Sequence, residues 1–187
     1  MDDNSFLKDY FEQFERGVNS PGIFETIKEL RDALAKVKDT NKKVILAGNG
    51  ASASMASHYA LDYTKQGGVR SMAFNDAAFL TAYGNDYGYD LWVAKAIEHH
   101  GDAGDLAILI SSSGRSPNMV KAAETAKEMG LTVATFTGFA PDNPLKSLGE
   151  VNLWLESRAY NIIEAAHSFW LAAACDLLIG KSEYSVS

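Results

Sequence analysis

Four serines crowd one short run, ILISSSGRSPN (108–118): Ser111, Ser112, Ser113 and Ser116, arranged around a glycine. Hydroxyls are small, uncharged hydrogen-bond donors. A turn that opens a helix adds free backbone N–H groups and a partial positive charge of about +0.5. The pattern suits either a neutral cradle for a phosphate or a serine-rich capping turn without a ligand. Arg115 lies inside the same turn, where it could touch a phosphate or shield the pocket. Two further pairs could move protons or hold a metal. His58 and Asp62 stand four apart, and Glu164 and His167 three apart, so on helices each pair shares a face. Two carboxylates and two imidazoles from distant segments make a metal site, a proton-transfer set, or surface and subunit contacts.

These residues need elements to position them. KVILAG (43–48), LAILI (106–110) and TVATF (132–136) are short apolar runs rich in β-branched residues, suited to strands buried on both faces. RSMAF (70–74) and VNLWLE (151–156) are weaker strand candidates. Helical segments separate them: SASMASHYALDYTK, YDLWVAKAIEHH, NMVKAAETAKEMG and a last apolar helix from Tyr160 to Ile179. Before them come two helical patterns, Phe6, Tyr10, Phe11 and Phe14, then Ile23, Ile27, Leu30, Leu34 and Val37 after Pro21. The alternation predicts an α/β fold, a doubly wound parallel sheet in an αβα sandwich with extra N-terminal helices. Residues 1–187 are expected to form one domain, a helical pair over 1–40 and an α/β core with its C-terminal helix over 41–187. Both GNGASAS (48–54) and SSSGRSPN follow a strand and open a helix, so both lie at carboxyl ends of strands, where ligands bind.

Composition narrows the partners. The 187 residues carry a net charge of -7, which disfavours nucleic acid and a membrane surface, so a bound anion must be held locally. No apolar run approaches the roughly 20 residues of a membrane span, and the acidic, amphipathic start MDDNSFLKDYFEQFERG is unlike a signal. A single cysteine, Cys175, points to the cytoplasm and to a small core residue. No G-x-x-x-x-G-K-[ST] occurs, and Ala53 stands where a dinucleotide fingerprint needs its third glycine, so no nucleotide cofactor is expected. His99 and His100 end a helix and favour its dipole. Trp92, Trp154 and Trp170 read as core or interface.

Taken together and in order, VILAGNGASASMASHYALDYTK, TAYGNDYGYD, GDLAILISSSGRSPNMVKAAETAKEMGLTVATFTG and YNIIEAAH resemble the sugar isomerase (SIS) domain family, in its phosphoheptose isomerase branch. The resemblance implies interconversion of sedoheptulose 7-phosphate and a D-glycero-heptose 7-phosphate, feeding heptose synthesis for surface polysaccharide. It implies a phosphate on Ser111, Ser112, Ser113 and Ser116, and sugar contacts from Asn49, Gly50, Ser52 and Asp86. It further implies chemistry on two helices, with Asp62 or Glu164 as base, His167 as acid and His58 orienting or ligating. His58, Asp62, Glu164 and His167 would hold one divalent metal such as zinc. The family's assembly implies a homotetramer with shared active sites. The chain departs from the branch at Ala51, Asp62, Arg115, Glu164 and Ala172, where the branch carries glycine, glutamate, asparagine, glutamine and a second histidine. The missing histidine keeps a second reading open, a non-catalytic phosphosugar-binding scaffold of the kind that binds a replication initiator.

Overall fold

The computed structural model describes residues 2–184. Two helices, α1 (Asp3–Val18) and α2 (Ile23–Asp39), lead into β1 (Val44–Gly48), α3 (Ala51–Lys65) and β2 (Ser71–Ala73). There follow α4 (Ala77–Tyr87), α5 (Trp92–His100), β3 (Leu106–Ser111), α6 (Pro117–Glu128), β4 (Thr132–Thr137), α7 (Pro144–Leu148), β5 (Val151–Trp154) and α8 (Tyr160–Ile179). The strands form one parallel sheet in the order β2-β1-β3-β4-β5. Chain order reverses between β1 and β3, which are neighbours, so a crevice opens beyond their carboxyl ends.

Every residue of β1 and β3 is buried. Leu46, Ile108 and Phe136 face a layer built with α2, α3 and α8, while Ile45, Leu109 and Val133 face α5 and α6. Each such side chain contributes about 2 kcal/mol by leaving water, which is why these runs are apolar throughout. At the amino ends of the strands a buried carboxylate locks the register. Asp105 accepts the Lys43 and Asp102 backbone N–H groups at 2.9 and 2.8 Å and pairs with Lys43 Nζ at 2.6 Å.

Three elements differ from expectation. Helix α4 buries none of its residues fully and lays Phe79, Leu80 and Tyr83 against the α5 and α6 layer; Asp76 starts it, accepting the Ala78 and Phe79 N–H groups. The short α7 is set by its cap Asn143 and Pro144 at its first position. The third difference corrects the length argument against a membrane span: α8, with a mean hydropathy of 1.5, is long and apolar enough to cross one. Here it is a core helix against α1, α2 and α3, and its Trp170 Nε1–H donates to the Val18 carbonyl at 3.1 Å.

Candidate active site

The serine turn is braced by hydrogen bonds from its own backbone and from neighbouring segments. The Gly114 N–H donates to Ser111 O at 2.9 Å. Gly114 has φ +62°, and a Cβ there would overlap the Asn143 amide, so only glycine fits. Asn143 is fully buried. Its Nδ2 donates to Ala140 O at 2.9 Å and Thr137 Oγ1 at 3.3 Å, while its Oδ1 accepts the Lys146 N–H at 2.9 Å. From β4 the Gly138 N–H donates to Ser112 O at 2.9 Å, and from α7 the Leu145 N–H donates to Gly114 O at 3.0 Å.

The hydroxyls themselves are lightly used. Ser111 and Ser116 share a hydrogen bond of 3.1 Å, and Ser113 Oγ accepts the Arg115 N–H at 3.2 Å. Ser112 Oγ is buried without a partner among the described residues, a state that costs about 1–3 kcal/mol and that an anionic oxygen would relieve. Ser116 occupies the cap position of α6 but makes no side-chain cap bond, and Pro117 follows it. The dipole of α6 and these hydroxyls therefore converge on one spot.

The remaining walls come from β1 and α8. A cavity of about 160 Å³ is lined by Asn49, Ser52, Ile110, the four serines, Tyr160 and Glu164. Asn49 and Asn118 exchange amide hydrogen bonds of 3.0 and 2.8 Å, joining the β1 and β3 loops across the crevice. The Tyr89 hydroxyl donates to Asn49 Oδ1 at 3.0 Å. Glu164 is the one charged side chain among the lining residues. A larger hollow of about 300 Å³, between α1 and the loop before α8, is edged by Arg16 and Glu156 and carries no comparable convergence of donors.

The expected residues divide. Asn49, Ser52, all four serines and Glu164 meet in the cavity; Gly50 caps α3 at φ +58°, a backbone setting that favours glycine, without lining it. Asp86 lies outside, exposed on α4 and accepting a hydrogen bond from Asn85 Nδ2 at 2.9 Å. His58 Nε2 and Asp62 Oδ2 stand 3.3 Å apart on α3, with the histidine 61% exposed and away from the cavity. His167 is not among the residues that line the cavity. It is fully buried against Phe136 and Trp170, bonded through Nε2 to Thr137 O at 3.1 Å, with Nδ1 unpartnered among the described residues. Burial lowers its pKa from 6.5 to about 4, so it is neutral at pH 7 and must donate Nε2–H to that carbonyl.

The four expected metal donors do not come together in one subunit. Among the described residues no three of the His, Cys, Asp and Glu side chains are grouped to hold an ion. The charge of Asp62 is felt at Tyr59 and Cys175, and Tyr59 reaches Ser168 O at 2.6 Å. By helical periodicity the α8 residue on that face is Ala172, whose methyl donates nothing to a metal. The four donors do not fit an ion within one subunit. Residues not singled out in the sequence are Asn118, Asn143, Tyr89, Phe139 and Tyr160. Their signal is three-dimensional: Asn118, Tyr89 and Tyr160 lie within the quoted stretches, but nothing in their spacing gives them a role.

Residues 9–138 match the family described as SIS domain. The chain is 32% identical over 178 residues to the phosphoheptose isomerase of Sulfurimonas denitrificans, covering 92% of this chain and 91% of that one. It is 30% identical over 187 residues to the phosphoheptose isomerase of Helicobacter pylori, with 95% and 96% covered. Among solved structures, the phosphoheptose isomerase of Neisseria gonorrhoeae superposes with a TM-score of 0.85 at 27% identity, over 94% of this chain and 96% of that one.

Proposed function

The chain belongs to the SIS domain family, and on that premise we propose that it is an aldose–ketose isomerase interconverting sedoheptulose 7-phosphate and D-glycero-heptose 7-phosphate. One observation carries the reading: four serine hydroxyls and a carboxylate line one cavity at the point where strand order reverses. Ser111, Ser112, Ser113 and Ser116 hold the phosphate with the N-terminus of α6, and Asn49 and Ser52 meet the sugar hydroxyls.

Glu164 is the base. It takes the proton from the carbon beside the carbonyl to give an enediolate. Within that enediolate the hydroxyl proton passes from the first oxygen to the former carbonyl oxygen, and the carboxylic acid returns its proton to the former carbonyl carbon. Neutral donors around the cavity stabilise the developing oxyanion without competing for the proton. His167 positions both halves of the site: its bond to Thr137 O ties α8, which bears Glu164, to the strand whose next N–H supports Ser112. The scaffold reading is not favoured, since Glu164 reaches the cavity and the similar proteins are named as isomerases.

A cavity of about 160 Å³ is below the usual 300–1,000 Å³ of a ligand site. We assign the remaining wall to a second copy of the chain, in a homotetramer where the exposed His58, its half-buried partner Asp62 and the neighbouring exposed Leu61 face another subunit. The buried free thiol of Cys175 suits a cytoplasmic setting. Incubation of the purified protein with sedoheptulose 7-phosphate tests the assignment. The expected result is an aldose heptose phosphate, with Glu164→Gln slowing turnover by about 10²–10⁴-fold. Absence of product, or full activity in Glu164→Gln, refutes it.

A further inference from the structure

Tyr160 is the first residue of α8 and shares a helical face with Glu164 four residues on, and both line the cavity. A tyrosine 55% exposed at the mouth of a polar cleft gains little from burial, yet its ring is held. Phe139 meets it edge-on, with centroids 4.9 Å apart and planes at 78°. To do so Phe139 adopts φ +55°, a region that is uncommon for a bulky side chain and costs about 1–3 kcal/mol. Its N–H donates to Ser157 O at 3.0 Å, and Ser157 Oγ in turn accepts the Ala159 N–H at 3.1 Å, just before α8 begins. Gly138 beside it allows the close approach, because a Cβ there would overlap Ile163 of α8. Glycine or asparagine would take the backbone of residue 139 at lower cost. The strained position keeps a phenyl ring, and the ring's neighbour is Tyr160.

From this arrangement we infer that Tyr160, braced by Phe139, is a specificity-determining residue that clamps the carbon chain of the phosphosugar. The inference rests on the phosphosugar reading given above. The serine turn fixes the phosphate and cannot distinguish one sugar phosphate from another. Tyr160 offers a flat apolar face for the C–H side of an extended polyol and a phenol for a sugar hydroxyl. Only a substrate long enough to reach from the serine turn to this ring gains the contact.

Calorimetry on the intact protein separates the two parts of the site, with sedoheptulose 7-phosphate and inorganic phosphate as paired ligands. The wild type is expected to bind the sugar phosphate more tightly than phosphate. Tyr160→Ala should lose about tenfold of the sugar phosphate affinity, equivalent to about 1.4 kcal/mol, with phosphate affinity unchanged. Tyr160→Phe should keep most of the preference, and Phe139→Gly should lose part of it while the protein stays folded. The clamp is overturned if Tyr160→Ala leaves both affinities as they were, or weakens both equally. Equal affinity of the wild type for the two ligands, or none for either, overturns it too. The affinity ratio decides the clamp whether or not turnover is seen, and binding without turnover counts against the isomerase reading alone.

Discussion

Glu164 is a lone carboxylate in a cleft of hydroxyls and amides, three residues from an imidazole buried in the core. A neutral wall matters for a dianionic substrate bound by an acidic chain. In the proposed site, cations would strengthen phosphate binding but would also pair with the base, whereas serines would hold the phosphate and leave the carboxylate free. His167 belongs to the scaffold of this site. Its pKa is depressed to about 4 because burial disfavours the charged form. The unfolded chain therefore binds an extra proton between about pH 6.5 and 4, and the sign follows: this contribution is complete above pH 6.5 and is lost as pH falls toward 4. A depression from 6.5 to about 4 is worth about 3 kcal/mol across that window. Urea denaturation at pH 7 and pH 4.5 should show this loss in the wild type and a smaller one in His167→Gln, which retains an N–H for Thr137. An identical loss in both proteins argues against the buried neutral imidazole. A pH–rate profile unchanged in His167→Gln is expected of a positioning residue.

At the scale of elements, the serine turn is only as well placed as the segments under it. β4 supplies the Gly138 N–H, and α7 supplies the Leu145 N–H and the cap Asn143, which also packs against Gly114. Asn143→Ala removes several buried hydrogen bonds from this support. It is expected to lower stability by about 1–3 kcal/mol and to weaken phosphate binding severalfold, measured by the urea midpoint and by calorimetry. An unchanged midpoint counts against the bracing role. The same dependence explains which elements were legible. β1, β3 and β4 are buried on both faces, so their apolar runs announce them. α4 is short and packs only through half-buried side chains, with the Tyr83 hydroxyl and His99 Nδ1 2.6 Å apart and the Phe79 and Tyr83 rings stacked at 4.3 Å, so its pattern is weak. α7 is five residues held by one cap.

For the whole molecule, the outer faces of α1, α2 and α8 carry Phe11, Phe24 and Phe169, each more than half exposed. A groove of about 370 Å³ bounded by Phe24, Ile27, Phe169, Ala173 and Leu177 runs between α2 and α8. Patches of this kind are usual at subunit contacts. If the tetramer closes over them, the double variant Phe24→Glu and Phe169→Glu should sediment as a smaller species and lose isomerase activity while its circular dichroism is retained. A variant that sediments like the wild type places the contact elsewhere. The sequence by itself determined the layered α/β class, the serine turn and its place at a strand end, because apolar periodicity and turn chemistry are local properties of neighbouring residues. It also brought Glu164 forward as a candidate, through its spacing from His167. Only the tertiary structure decided that Glu164 faces the serines while His167 is sealed beneath them. The α8 residues are three apart, about 60° round the helix, and sheet and cleft lie on different sides of that angle. The strand order, the Asn49–Asn118 link and the Phe139–Tyr160 brace were likewise settled by packing between segments far apart in the chain, where spacing along the sequence carries no information.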